Sequence, residues 1–180
     1  MTGSGTASVP LYLGLGSDLG DKEANLREAV RRLDEAFGIR HEALSGFVET
    51  EPWGFESDTK FLNAVVKYRI SLPLPEDSSC RRPSSENGRA VTDLARRILR
   101  ICKDTERVMG REEHMDTDEC GRRIYRSRII DIDLLLLGNF RVRETDLVIP
   151  HPLMLERDFV MIPLLQLVSP EELDVCRTMR

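Results

Sequence analysis

Cysteine is scarce and scattered. Cys80, Cys102, Cys120 and Cys176 form no CxxC pair, which excludes a zinc ribbon and a dense disulfide framework. A reducing, cytoplasmic compartment is expected on that ground. No apolar run reaches the length of a membrane span, so no membrane partner is expected. Residues 1–9 are small and polar, with neither a basic nor an apolar region of the kind a secretory signal needs. Positive charge is not in excess: 26 Lys and Arg face 31 Asp and Glu, a net charge of −5. That balance argues against general nucleic-acid affinity. A Walker phosphate loop is also missing. Gly14-Leu15-Gly16-Ser17 is not followed by GK[ST], and the next glycine, Gly20, does not complete GxGxxG. The segment reads as a tight strand-to-helix turn that lets a flat ligand approach the backbone.

What is present is an ordinary globular composition, 41% hydrophobic and 32% charged over 180 residues. It fits one domain over 9–180 behind a flexible 1–8. Residues 9–15 read as a strand. Asp21 is placed to cap a helix whose stripe is Leu26, Ala29, Val30, Leu33 and Phe37, with Gly38 at its end. Strands are expected over 43–50 and 61–72, a loop over 73–89, and a helix over 90–109 facing inward through Val91, Leu94, Ala95, Ile98, Cys102 and Thr105. Residues 110–125 are dense in charge and read as a long mobile loop. A buried strand is expected over 129–137, a small hairpin over 139–148, and a last helix over 155–168 capped or kinked by Pro163. The order of strand, helix, strand, strand, helix, strand is that of the ferredoxin-like split βαβ. The expected fold class is therefore α+β: a ferredoxin-like α/β sandwich, its mostly antiparallel sheet covered by helices and fitted with long catalytic loops.

The most informative residues are Asp131-Ile132-Asp133. On a strand, residues two apart point to one face, so two carboxylates would stand side by side and repel unless something positive sits between them. A hard divalent cation shared with substrate phosphates is one reading. A solvated strand edge, or one aspartate paired with Arg128, is the other. Arg107, Arg111, Arg122, Arg123, Arg126, Arg128 and Arg157 surround the pair in sequence. Guanidinium forks match phosphate oxygens, so a polyphosphate is the expected ligand. Pairing of these arginines with Glu112, Glu113, Asp116, Asp118 and Glu119 in a solvated loop is the competing view. Phe61-Leu62-Asn63 sets an aromatic beside an amide able to read a heterocycle edge. His151 is held rigidly between Pro150 and Pro152.

Together these strings resemble one family. Leu15-Gly16-Ser17, Thr50-Glu51-Pro52-Trp53-Gly54, Phe61-Leu62-Asn63-Ala64, Glu106 with Met109-Gly110-Arg111, Arg128-x-x-Asp131-x-Asp133, and Pro150-His151-Pro152 followed by Arg157-Asp158-Phe159 are similar to the 6-hydroxymethyl-7,8-dihydropterin pyrophosphokinases of folate biosynthesis. The resemblance runs from about residue 9 to 170. It implies transfer of the terminal diphosphate of ATP to the hydroxymethyl of a reduced pterin, releasing AMP. It also implies two Mg²⁺ ions on Asp131 and Asp133, with either carboxylate easing loss of the hydroxyl proton. Arg111 and Arg128 would neutralise phosphates, and His151 and Arg157 would contact ATP. Glu106 and Leu134 would line the nucleotide site, and Tyr125 would close over the ligands. Asn63 would read the pterin edge between Phe61 and Phe159, and Thr50, Glu51 and Trp53 would contribute backbone contacts.

The chain departs from the family pattern in places. Asp18 stands where members often have Asn, and Glu113 stands where many have a second arginine, with Arg122 or Arg123 the expected substitute. The segments 76–89 and 112–123 are longer than in compact members. The partners implied are small molecules alone, and a stand-alone monomer is expected rather than a bifunctional folate enzyme. A non-catalytic ferredoxin-like module for a small ligand or RNA is the alternative class. It leaves the aspartate pair unexplained.

Overall fold

The structure is a computed structural model in which residues 6–51, 60–73, 85–111 and 127–177 are described. The strand β1 (Thr6–Ser17) leads into helix α1 (Lys22–Phe37), then the short strands β2 (Ala43–Leu44) and β3 (Val48–Thr50), and the long β4 (Phe61–Pro73). Helix α2 (Ser85–Val108) follows, then β5 (Asp131–Leu137) and a hairpin of β6 (Val142–Arg143) and β7 (Val148–Ile149). A 3-10 turn (Met154–Glu156) and helices α3 (Asp158–Leu164) and α4 (Pro170–Arg177) complete the order. The main sheet runs β2-β4-β1-β5, with β3 also on β4. Every pairing is antiparallel. This is the ferredoxin-like α+β arrangement, with β1 and β4 as its central strands and helices packed on the sheet.

Period-two alternation divides the strands between two faces. Leu11, Leu13 and Leu15 of β1, Ala64, Val66 and Tyr68 of β4, and Ile132 and Leu134 of β5 join Leu26, Ala29, Leu33, Val91, Ala95, Ile98 and Cys102 of α1 and α2 in the main core. Tyr12, Val65, Leu135 and Leu136 instead pack with Met154, Val160 and Leu164 on the opposite face. The helix α1 begins as its sequence predicts. The Asp21 side chain accepts from the Ala24 N–H at 3.0 Å, and Gly38 takes the left-handed φ of 67° that closes the helix. Tyr68 pins that helix to the sheet by donating to Asp34 at 2.8 Å.

Several boundaries differ from expectation, each for a local reason. The expected strand over 43–50 is two strands. Leu44 faces Val66 and Val48 faces Asn63, so residues 45–47 oppose only two residues of β4, which is a bulge. The Ser45 hydroxyl accepts the Val65 N–H at 2.9 Å, and the Gly46 N–H turns away to the Gln166 side-chain oxygen at 2.8 Å. Gly14 and Gly16 lie inside β1 rather than in a turn, because both remain paired to β4 and β5. The strand expected from 129 starts at Asp131. The helix expected from 90 starts at Ser85, within the expected loop. The last helix is broken at Arg157, whose φ of −115° and ψ of 101° are extended, and Pro163 falls near the end of α3. The helix α4 was not anticipated. Its signal is a capping box: Glu172 N–H donates to Ser169 Oγ at 3.3 Å while Ser169 N–H donates to Glu172 Oε2 at 2.8 Å, with Pro170 at the first helical position. The long loop expected over 110–125 lies outside the described residues from 112 onward. No helix among the described residues is long and apolar enough to cross a membrane.

Candidate active site

The site is a trough on the sheet face opposite the main core. Its floor is β1, where Gly14 and Gly16 alternate with core leucines. Asp133 stands across from Gly14 and Asp131 across from Gly16 on β5; Val65 and Asn63 occupy the equivalent places on β4. A Cβ on Gly16 would lie 3.1 Å from Asn63 Oδ1, and one on Gly14 would touch Leu135 at 3.4 Å. The missing side chains therefore open a flat space between the aspartates and the asparagine. Gly14, Gly16, Thr50, Glu51, Phe61, Asn63, Arg128, Asp131, Asp133, Arg157 and Phe159 line one cavity there. Nine of the residues singled out in the sequence thus converge. The glycine segment was expected to let a flat ligand approach the backbone, but the match of its spacing to that of the aspartates was not drawn.

Asn63 is oriented by its neighbour. Its amide nitrogen donates to Thr50 Oγ1 at 2.9 Å, which leaves Oδ1 above Gly16. The Arg157 guanidinium stacks 5.6 Å from the Phe159 ring centroid, a cation–π distance.

Asp131 is held between two arginines. Arg111 reaches Oδ1 at 2.6 Å and Arg128 reaches Oδ2 at 2.9 Å. The pairing of one aspartate with Arg128, one of the readings left open above, is present. Burial pushes Asp131 up, but the Arg128 and Arg111 charges outweigh it and hold the carboxyl below its usual range. Asp133 goes the other way. Burial and then the charge of Asp131 raise it. His151 is lowered by burial, opposed by Asp133. Its Nδ1 accepts the Leu153 N–H at 3.3 Å, and the His151 backbone N–H donates to Leu135 O at 3.0 Å.

Glu106 stands behind Asp131 rather than in the trough. It is 1% exposed, pairs with Arg111, and accepts the Ile132 N–H at 2.7 Å. That N–H lies on the free edge of β5, and Leu134, two residues on, turns its backbone to the same edge. Lys103 completes the set at 3.0 Å from Glu106. Burial raises the Glu106 carboxyl, opposed chiefly by Lys103. Trp53 and Tyr125, both expected at the site, lie outside the described residues.

Lys103, Arg111 and Arg128 balance Glu106, Asp131 and Asp133 in formal charge. A polyphosphate entering such a site needs further cations. Among the described residues no group of three or more His, Cys, Asp or Glu could hold a metal unaided. Two carboxylates do fit an ion that takes the rest of its ligands from phosphate and water.

The chain that builds this trough is similar in sequence to known proteins. The family model for 7,8-dihydro-6-hydroxymethylpterin-pyrophosphokinase (HPPK) matches residues 12–169. The chain belongs to the HPPK family. A 2-amino-4-hydroxy-6-hydroxymethyldihydropteridine pyrophosphokinase of Porphyromonas gingivalis is 41% identical over 155 residues, 86% of this chain and 87% of the relative. That of Aquifex aeolicus is 33% identical over 157 residues, covering 87% and 79%. The folate synthesis bifunctional protein of Arabidopsis thaliana is 32% identical over 94% of this chain, which matches 29% of that longer protein. As an HPPK, the chain is an ATP-dependent diphosphotransferase of folate biosynthesis, with ATP and a reduced pterin as its small-molecule substrates.

Proposed function

We propose that the trough is where the diphosphate of ATP passes to the hydroxymethyl oxygen of 6-hydroxymethyl-7,8-dihydropterin. The observation that carries this reading is the bracketing of Asp131 by Arg111 and Arg128, with Asp133 on the same face. The pterin lies over Gly14 and Gly16 between Phe61 and Phe159, in the offset stacking aromatics favour. Asn63 Oδ1 accepts from the edge of the ring, and Thr50, Glu51 and Trp53 contribute backbone contacts. The nucleotide takes the β5 side: Leu134 and Glu106 line its site, and His151, Arg157 and Tyr125 contact it.

Asp131 and Asp133 would hold two Mg²⁺ ions, which would supply neutralisation of the phosphate charge and easier ionisation of the hydroxyl. As ATP binds, Arg111 and Arg128 exchange Asp131 for phosphate oxygens. Both guanidiniums are already in place, so little reorganisation is left for the transfer itself. The hydroxymethyl oxygen then forms a bond to the β-phosphorus, the bond from that phosphorus to the α-phosphate bridging oxygen breaks, and AMP leaves. The hydroxyl proton passes to solvent water, its loss eased by Asp131 or Asp133. Positioning and charge neutralisation supply the catalysis, as in other phosphoryl transfers. A single unit over 9–180, working as a monomer in the cytoplasm, suits a site built from one chain and a sequence without a CxxC pair.

The test is AMP release from ATP in the presence and absence of the pterin and of Mg²⁺. Omitting either should abolish release, and restoring Mg²⁺ after chelation should recover it. Release that needs no divalent cation contradicts the role given to the aspartates.

A further inference from the structure

Asp18 has no part in the roles above, yet it is among the most buried charged residues, at 1% exposure. It follows β1 directly, where the chain turns towards α1. Its Oδ1 accepts the Arg128 N–H at 2.6 Å, and its own N–H donates to the Arg128 carbonyl at 3.3 Å. Oδ2 is buried with no hydrogen-bond partner among the described residues. Burying a carboxylate oxygen without a partner is unfavourable, so the residue contributes chiefly through its clasp on Arg128.

The clasp has a rigid base. Asn25, in the first turn of α1, donates to Ser17 Oγ at 3.2 Å and to the Leu19 carbonyl at 2.8 Å. A continuous path therefore runs from α1 through the turn to Asp18, on to the Arg128 backbone, and from the Arg128 guanidinium to Asp131. Arg128 itself precedes β5 and gains no ladder bonds from that strand's pairing, which begins at Asp131.

We propose that Asp18 is a positioning residue for diphosphate transfer, fixing the main chain at Arg128 so that its guanidinium meets the phosphates. The proposal rests on the role given to Arg128 above. Small displacements of a positioned group lower turnover steeply. Asp18→Ala should reduce kcat by roughly tenfold to a hundredfold, with KM for the pterin changed less than about twofold. Asp18→Asn keeps an oxygen acceptor for the Arg128 N–H and should restore most of kcat. In an Arg128→Ala background, Asp18→Ala should have almost no further effect, because coupled residues are not additive.

A full-speed Asp18→Ala beside a slow Arg128→Ala overturns the clasp alone. A full-speed Arg128→Ala overturns the role of Arg128 and the proposal with it. Equal losses in Asp18→Ala and Asp18→Asn, or an Asp18→Ala loss undiminished in the Arg128→Ala background, point to a merely structural residue and also overturn it. Should Asp18→Ala fail to fold, hydrogen exchange at the Arg128 amide decides. Slow exchange in the wild-type protein that quickens in Asp18→Asn less than tenfold supports the clasp, and unprotected exchange in the wild type overturns it.

Discussion

The two faces of the sheet are made from the same strands and do opposite things. On the α1 and α2 face, Leu11, Leu13, Ile132 and their neighbours are sealed from water, each burying a side chain for about 2 kcal/mol. On the other face, one residue over in every strand, Gly14, Gly16, Asn63, Asp131 and Asp133 fill the space with backbone, amide and charge. Side-chain parity alone separates them. The core face supplies the stability that lets the trough keep Asp133 raised by burial and by a like charge two residues away. Placing the reactive groups on strands rather than on loops also holds them in register.

The sharpest break of this comparison is an aspartate against a leucine. Asp131→Ala should lower kcat on the order of a thousandfold, a loss of the size seen when a positioned electrostatic group is removed, while Arg111 keeps Glu106 and the fold survives. Steady-state AMP release with a parallel unfolding curve checks both halves. Leu13→Ala should do the reverse. It should cost about 3 kcal/mol of stability, lowering the midpoint by roughly 10 °C, with kcat per folded molecule unchanged. A large kcat loss in folded Leu13→Ala protein would show that the two faces are not separable.

Gly16→Ala sharpens the floor of the trough. Its Cβ would meet Asn63 Oδ1 at 3.1 Å, so KM for the pterin should rise about tenfold, the size of one lost or displaced hydrogen bond, with little change in melting. An unchanged KM would remove Gly16 and the Asn63 oxygen from the pterin contact. The smallest effect belongs to a polar cluster on the same face that serves stability alone. Burial raises the Glu172 carboxyl, but the Ser169 N–H and the Tyr12 hydroxyl outweigh it and hold it below its ordinary 4.5. A depressed folded value means stability present above about pH 4.5 and lost as pH falls through the lowered value. Glu172→Gln should therefore be less stable than wild type by about 1 kcal/mol at neutral pH, a gap that closes on acidification while kcat stays the same. Urea unfolding between neutral and acid pH measures it.

Much of this was legible in the chain, for identifiable reasons. The Asp131 and Asp133 parity follows from strand geometry, and the α1 boundaries follow from Asp21 and Gly38. Five of the nine site residues, Thr50, Phe61, Asn63, Asp131 and Asp133, converge because their motif strings reflect positions on fixed strands. What was not legible depends on tertiary partners. The bulge at 45–47 exists because Ser45 and Gln166 offer other bonds. Glu106 was expected to line the nucleotide site; its bonds to Arg111 and the Ile132 N–H could be foreseen only by knowing that α2 packs at the β5 edge. The helix α4 had a local signal in Ser169 and Glu172 that was overlooked. Gly16 was read as part of a turn beyond the strand over 9–15, although β1 runs through it.

Asp133→Asn tests the central claim most directly, with AMP release and the unfolding midpoint measured on one preparation. The aspartate is placed for chemistry at the expense of the fold, so the ligand-free variant should unfold at or above the wild-type midpoint while AMP release falls on the order of a thousandfold. Release at the wild-type rate, or a lowered midpoint, contradicts the division between a face that stabilises and a face that reacts.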